Sequence, residues 1–236
     1  MIKLRPHQTQ IVDILKYHTK GQVIVPTGGG KTICMIEDAK RQFADSVSKT
    51  IVVVAPRILL AQQLCANFLE LIDNVDVLHV HSGETHHTST TNTNKIRAWN
   101  NNSFSNKLIF TTYHSLHKVQ ESAIVIDTIY FDEAHNSVQR HFFPAVRFFA
   151  TTNNRRCYFF TATPKHSIST ERVGMNNEEV YGKVLVNVPA PHLVRQGVIL
   201  PPKVKIKKID VQDDSRFKHE HDCDYVTSTL DEIDMD

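Results

Sequence analysis

Cysteine is scarce in this chain. The four are Cys34, Cys65, Cys157 and Cys223, widely scattered and with no C-x-x-C pair. That scatter argues against a disulfide framework or a zinc ribbon and reads as free thiols in a reducing compartment. Long apolar runs are missing too. None approaches the ~20 residues that cross a bilayer, and the opening MIKLRPHQTQ is too polar for a signal peptide. The expectation is a soluble cytoplasmic protein with no membrane partner. Tryptophan occurs once, at Trp99, and glycine only eight times, yet three of those glycines are consecutive, Gly28–Gly30.

Overall composition is ordinary: 41% apolar and 22% charged residues over 236 positions suit a globular domain with room for an appendage. Net charge is only +2 but unevenly spread, since residues 209–236 carry ten acids against Arg216 and Lys218. The body is therefore basic, which is a weak pointer to a polyanionic partner. The acidic end reads as disordered or as an element parted from its packing partner. We expect one domain over 1–200 and a linker with the start of a further domain over 201–236. Within that end, His219, Glu220, His221 and Cys223 cluster, and solvated surface residues are the simplest account of them.

Short runs rich in Val, Ile and Phe recur at Val23–Val25, Ile51–Ala55, Val75–Val80, Leu108–Phe110, Ile124–Phe131 and Cys157–Phe160. Most do not alternate, as expected of parallel strands buried on both faces. Helical stripes lie between them: Ile36, Ala39, Phe43 and Val47, then Leu60, Leu64, Phe68 and Leu71. An opening helix starts at Pro6 and buries Ile11, Ile14 and Leu15. The predicted class is α/β, a mainly parallel sheet with helices on both faces. The Thr-, Asn- and Ser-rich stretch from His86 to Asn106 reads as an excursion with a short helix around Lys95–Trp99. Trp99 there either stacks on a nucleic-acid base or pins the excursion to the body. Further on, Val184–Val188 reads as an edge strand, His192–Gln196 as a helical turn ended by Gly197, and Lys203–Lys208 as one more strand.

In "VIVPTGGGKTICM", Val23–Met35, an apolar strand meets a glycine turn and then an apolar helix. Unpaired N–H groups and the dipole at a helix start favour anions. Glycine lets the backbone wrap a phosphate. Lys31 can reach the β- and γ-phosphates, and the Thr32 hydroxyl can ligate Mg²⁺. The strict G-x-x-x-x-G-K-[ST] pattern would place glycine at 25, where Val25 stands. In "TIYFDEAH", Thr128–His135, a strand ends in two adjacent acids. Their side chains point opposite ways, so one suits a hydrated Mg²⁺ and the other an attacking water. In "YFFTATP", Tyr158–Pro164, Thr161 and Thr163 can hydrogen-bond the acids or the neighbouring loop.

The order PTGGGKT, APRILLAQQ, TTYHSL, DEAH, TATP resembles the first RecA-like domain of a superfamily 2 helicase or translocase. "LRPHQTQIV" resembles that family's base-contacting motif. A glycine-poor start to the loop is common there. The resemblance covers roughly Leu4–Pro202. It implies that Gln8, with Arg5, contacts adenine, and that Pro26, Thr27, Gly28, Gly29, Gly30, Lys31 and Thr32 hold the ATP phosphates. By the same resemblance Thr32 and Asp132 hold Mg²⁺, Lys31 neutralises charge and Glu133 activates water. His135, Thr161 and Thr163 would couple nucleotide state to the strand-binding face. Pro56, Arg57, Gly83 and Thr112 would lie in segments that contact the nucleic-acid backbone.

TATP, and the stretch Tyr181–Val204, lean toward DNA enzymes similar to phage branch-migration helicases and restriction-enzyme translocase subunits. DNA, single-stranded or branched, is then the expected partner, in a host cytoplasm if the gene is a phage's. No Q-x-x-G-R-x-G-R pattern follows Pro164. A second RecA-like domain is therefore expected elsewhere in the full-length protein, with weak activity for this portion alone. An RNA helicase, a nucleic-acid-binding module with nucleotide as a structural ligand, and a small-molecule kinase are the rival readings.

Overall fold

In the computed structural model the described residues are 3–45, 48–152, 155–168 and 173–201. The chain divides into two units, Met1–Leu200 and Pro201–Asp236, and the architecture below is that of the first. The expected strand at Lys203–Lys208, the His219–Cys223 cluster and Val47 lie outside the described residues.

Seven strands form one parallel sheet: β1 (Lys20–Ile24), β2 (Thr50–Ala55), β3 (Val75–Val80), β4 (Asn106–Thr112), β5 (Thr128–Phe131), β6 (Arg156–Thr161) and β7 (Val184–Asn187). Their spatial order is β3-β4-β2-β5-β6-β1-β7. The pleat divides each strand between two cores. Ile51, Val53 and Ala55 of β2 face a core shared with α1 (Pro6–Tyr17), α2 (Lys31–Asp45), α3 (Ile58–Leu69) and α8 (Ala190–Arg195). Val52 and Val54 face the other core, with α4 (Thr93–Asn102), α5 (Leu116–Glu121), α6 (Phe143–Thr151) and α7 (Glu178–Tyr181). Burial on both sides explains why the strands read as unbroken apolar runs.

Three segments depart from the expected pattern. The run Ile124–Phe131 is strand only from Thr128, because Ala123 takes a positive φ of 53° and Val125 is 79% exposed. β1 begins earlier than its apolar residues, at Lys20, because its ladder with β6 pairs Lys20 with Cys157. The amide nitrogen of its buried Gln22 is satisfied there, Nε2 donating to the carbonyls of Met175 and Gly182 at 2.9 and 3.0 Å, while Oε1 is buried without a partner among the described residues. The His86–Asn106 excursion is bound to the sheet margin. The His79 N–H donates to the Thr88 carbonyl, and the Thr90 N–H donates to the His79 carbonyl. Trp99 is half-buried against the α4–α7 core, so it pins this excursion to the body.

His79 itself is fully buried. Its Nδ1 lies 2.9 Å from His81 Nε2, and its ring stacks on Phe110 and on His87. Burial, then the neighbouring His81 and His87, push its pKa down to about 4. Cys34, Cys65 and Cys157 are buried free thiols, and burial pushes Cys65 up to about 11. No helix among the described residues is long and apolar enough to cross a membrane.

Candidate nucleotide site

The loops that leave the C-terminal ends of the strands carry every candidate group outside the opening helix. This is the edge where open parallel sheets hold ligands. From one margin, the strand order sets Gly83 after β3, then Thr112 at the tip of β4, then Pro56 and Arg57 after β2. Asp132 and Glu133 follow after β5, then Thr161–Thr163 at the tip of β6, then the glycine loop after β1. The two groups of residues are thus sorted onto two halves of one edge.

The loop owes its three glycines to three separate constraints. Gly28 and Gly30 sit at φ 79° and 86°, the left-handed region that side chains resist. At Gly29 a Cβ would lie 2.5 Å from Val25 Cγ1, 2.9 Å from the Pro26 carbonyl oxygen and 3.0 Å from Leu193 Cδ1. Val25 is fully buried, so the residue that breaks the strict motif fills the space a side chain at 29 would need, while the Gly29 N–H closes the turn on the Pro26 carbonyl at 2.9 Å. A Cβ on Gly30 would collide with the Gln8 side-chain amide. The Gln8 Oε1 in turn accepts from the Arg5 N–H at 2.9 Å. The start of α1 therefore lies directly on the loop.

His7, which the sequence reading did not select, donates from Nε2 to the Gly29 carbonyl at 2.8 Å. That bond leaves its Nδ1 as an acceptor, buried without a partner among the described residues. The adjacency of His7 to Gln8 was the only signal that could have pointed to it.

Lys31 opens α2 and is 8% exposed. Its Nζ lies 3.2 Å from Glu133 Oε1, so the glycine loop and the tip of β5 meet as the motifs require. Thr32 follows on the same helix. Asp132 continues the ladder, its N–H donating to the Val54 carbonyl at 2.8 Å, while the buried Tyr113 hydroxyl donates to the Asp132 carbonyl at 2.9 Å. Burial first, then the adjacent Glu133, push the Asp132 carboxyl up to about 6, against the pull of Lys31. Glu133 adopts φ 45°, ψ 53°, a left-handed conformation rare for its side chain. That twist lets its carboxylate face Lys31 although its neighbour belongs to the strand.

The turn Ala134–Asn136 then brings His135 back toward β6. His135 Nδ1 lies 3.0 Å from Thr161 Oγ1 and 3.4 Å from Glu133 Oε2. Asn136 Nδ2 donates to His135 Nε2 at 3.3 Å and to the Glu133 carbonyl at 2.9 Å. With Nε2 accepting, Nδ1 carries the proton and donates. Burial is the main reason that His135 is held below the usual histidine range. Thr161 Oγ1 also accepts from the Thr163 N–H at 3.2 Å. Thr163 thus joins this chain of contacts through its backbone.

On the other half of the edge, Pro56, Arg57 and Thr112 line one hollow of about 440 Å³ with Ile58, His81 and His114. Gly83 borders it through its neighbours. Its N–H donates to His81 Nδ1 at 3.2 Å, and a Cβ there would lie 2.6 Å from Ile58 Cγ2.

The residues present suit a magnesium-bound triphosphate. Thr32 and Asp132 offer hard oxygen ligands, which Mg²⁺ prefers alongside water and phosphate.

The family model described as "Type III restriction enzyme, res subunit" matches residues 1–166. No curated protein matches the chain. Among solved structures, the chain is similar to a nuclease-deletion mutant of the Type ISP restriction-modification enzyme LlaGI in complex with a DNA substrate mimic. The TM-score is 0.69 and the identity 23%, over 84% of this chain and 21% of that one. The ATP-dependent Type ISP enzyme LlaBIII bound to DNA gives 0.67 and 19%, over 83% and 16%. The Hef helicase domain from Pyrococcus furiosus gives 0.56 and 20%, over 77% and 37%. The chain thus spans about a fifth of the length of the Type ISP enzymes. With two thirds of its residues matched, it belongs to the Type III restriction enzyme, res subunit family, and it has the fold of the first RecA-like domain of a superfamily 2 helicase or translocase.

Proposed function

We propose that this chain is the ATP-binding motor domain of an ATP-dependent DNA translocase or helicase. The observation that carries this reading is the 3.2 Å approach of the Lys31 ammonium to the Glu133 carboxylate. It joins a glycine-lined helix start to a tandem acid at the tip of β5. An ammonium held there on a carboxylate is free to change partners when a phosphate arrives. Gly28–Thr32 then cradle the phosphates by backbone N–H groups, with Pro26 and Thr27 shaping the entry. Thr32 and Asp132 would hold Mg²⁺, which would supply neutralisation of phosphate charge. Released from Lys31, Glu133 orients a water and accepts its proton. Gln8 and Arg5, at the start of α1, are placed to receive the base.

DNA is the proposed partner. Both Type ISP structures hold DNA or a mimic of it, and we extend that to the hollow lined by Pro56, Arg57 and Thr112. Phosphate contacts of this kind position a strand without reading its sequence. The reading further proposes a second RecA-like domain supplying arginines across the cleft. An arginine so placed contributes ~10³–10⁵ in rate in related enzymes, so the 236-residue chain alone turns over slowly.

ATP hydrolysis with and without single-stranded DNA tests the proposal, on this chain and on a longer one bearing the second domain. Lys31→Ala should abolish nucleotide binding. Glu133→Gln should keep binding and lower turnover by ~10²–10⁴-fold, as expected for loss of a general base. Nucleotide affinity unchanged by Lys31→Ala would sink the motor reading. Robust turnover by the short chain would sink only its dependence on a second domain.

A further inference from the structure

A second charged hollow lies at the opposite edge of the sheet, where the strands begin. It has a volume of about 430 Å³ and gathers Lys20 at the start of β1, Lys49 just before β2, and Arg155 and Arg156 at the start of β6. Their strands, with β5 between them, are contiguous in the sheet. All four cations are half-buried rather than spread into solvent. Among the described residues the one acid in the lining, Asp127, is already engaged. It takes Lys49 Nζ at 2.7 Å on one oxygen and the Thr50 N–H at 2.8 Å on the other.

Arg155 has the largest deficit. Its Nε and Nη1 are buried and have no hydrogen-bond partner among the described residues. The guanidinium is held over the rings of Phe149 and Phe148, 5.1 and 5.7 Å from their centroids. Ring faces stabilise the cation and fix its plane, but they satisfy no N–H group. Burial holds the Arg155 pKa below the usual arginine value, the sign of a cation short of compensating charge. Lys20 is anchored from across the hollow, donating to the Ala150 carbonyl at 3.3 Å and the Glu179 carbonyl at 2.6 Å. Neutral carbonyls leave its charge uncompensated too. Four half-buried cations around a single engaged acid among the described lining residues match the charge of a phosphoryl group.

We propose that this hollow is a binding site for a phosphoryl group, separate from the nucleotide site. The strands between the two edges are five to six residues long, a separation of about 16–20 Å. No single small ligand bridges them, so the bound group is not the motor's own substrate. A phosphate there would lie against Lys20 and Arg156 and offset the charge of the buried Arg155 guanidinium from nearby. The phosphate could come as a free anion or as an ester on a small metabolite.

Calorimetric titration of the full chain carrying Lys31→Ala removes the glycine loop as a competing phosphate site. Inorganic pyrophosphate, inorganic phosphate and ribose 5-phosphate are the three probes. At least one should bind saturably, and its Kd should rise at least tenfold in Arg155→Gln and in Lys20→Gln. The first two probes report a free-anion site, and preference for the third reports an ester site. Lys20→Gln, on a different strand, keeps the test decisive if Arg155→Gln fails to fold. No binding of any probe at millimolar concentration would overturn the proposal, as would binding that neither substitution weakens. Because Lys31 is already removed, failure here says nothing against the motor reading.

Discussion

His135 Nδ1 and Thr161 Oγ1 meet at 3.0 Å and link the tip of β5 to the tip of β6. The same threonine oxygen accepts the Thr163 N–H, and the same histidine nitrogen lies 3.4 Å from Glu133. A shift of the Glu133 carboxylate is therefore felt at the turn after β6 through one ring and one hydroxyl. Thr161→Val keeps the shape and removes the acceptor. It should cost about 1 kcal/mol of stability. Nucleotide affinity should stay within about threefold, while DNA stimulation of hydrolysis falls by about tenfold. Thr161→Ser should restore the stimulation. Comparing basal with DNA-stimulated turnover checks this, and equal losses in both would refute the coupling role.

Val25 and Gly29 form a matched pair, because the valine methyl occupies the space a side chain at 29 would need. Gly29→Ala should destabilise the chain by about 1–3 kcal/mol and weaken nucleotide binding at least tenfold. Val25→Gly restores the residue that the strict motif prefers. It should nevertheless lower stability by about 2–4 kcal/mol, since it deletes a buried side chain and adds backbone freedom. Urea unfolding and nucleotide titration of both variants decide. A Val25→Gly protein as stable as the parent would show that the packing at the loop has no energetic weight.

Acid should weaken the fold through His79. In the folded chain its pKa lies near 4, against 6.5 when unperturbed. The native state therefore resists a proton that the unfolded chain accepts. The stability from keeping this ring neutral is complete above pH 6.5 and drains away as the pH falls toward 4. The full shift corresponds to about 3 kcal/mol. Urea midpoints measured between pH 7.5 and 4.5 should decline with a slope that His79→Gln reduces. An unchanged slope would assign the acid sensitivity to other groups.

Periodicity located the sheet well, because strands buried on both faces leave continuous apolar runs. β2, β3, β4 and β7 fall on those runs within a residue or two. It failed where burial and polarity part company. Gln22 is buried with its amide N–H groups taken by carbonyls of neighbouring loops, and no one-dimensional pattern records that. Val125 is apolar but exposed at a turn, so the run before β5 was read as too long. The candidate site was legible as separate motifs, since a glycine turn, a lysine and paired acids each stand out in the sequence. Their convergence was not legible, because Lys31 and Asp132, 101 positions apart in the chain, become near neighbours only through the strand order. His7 was missed because a buried histidine bonded to one carbonyl looks, in sequence, like any helix-start polar residue.

The strand order also makes the sheet a fixed ruler. From β1 to β2, β4 and β3 there are three, four and five steps, or about 14 to 24 Å at the usual inter-strand spacing. A parallel sheet packed on both faces does not stretch, so the interval between the glycine loop and the hollow beside Arg57 and Thr112 is fixed, and in the proposed motor it would stay constant through the cycle. Displacement must then come from rotation of side chains at the tips of β5 and β6, or from the domain moving as a solid block against whatever it works with.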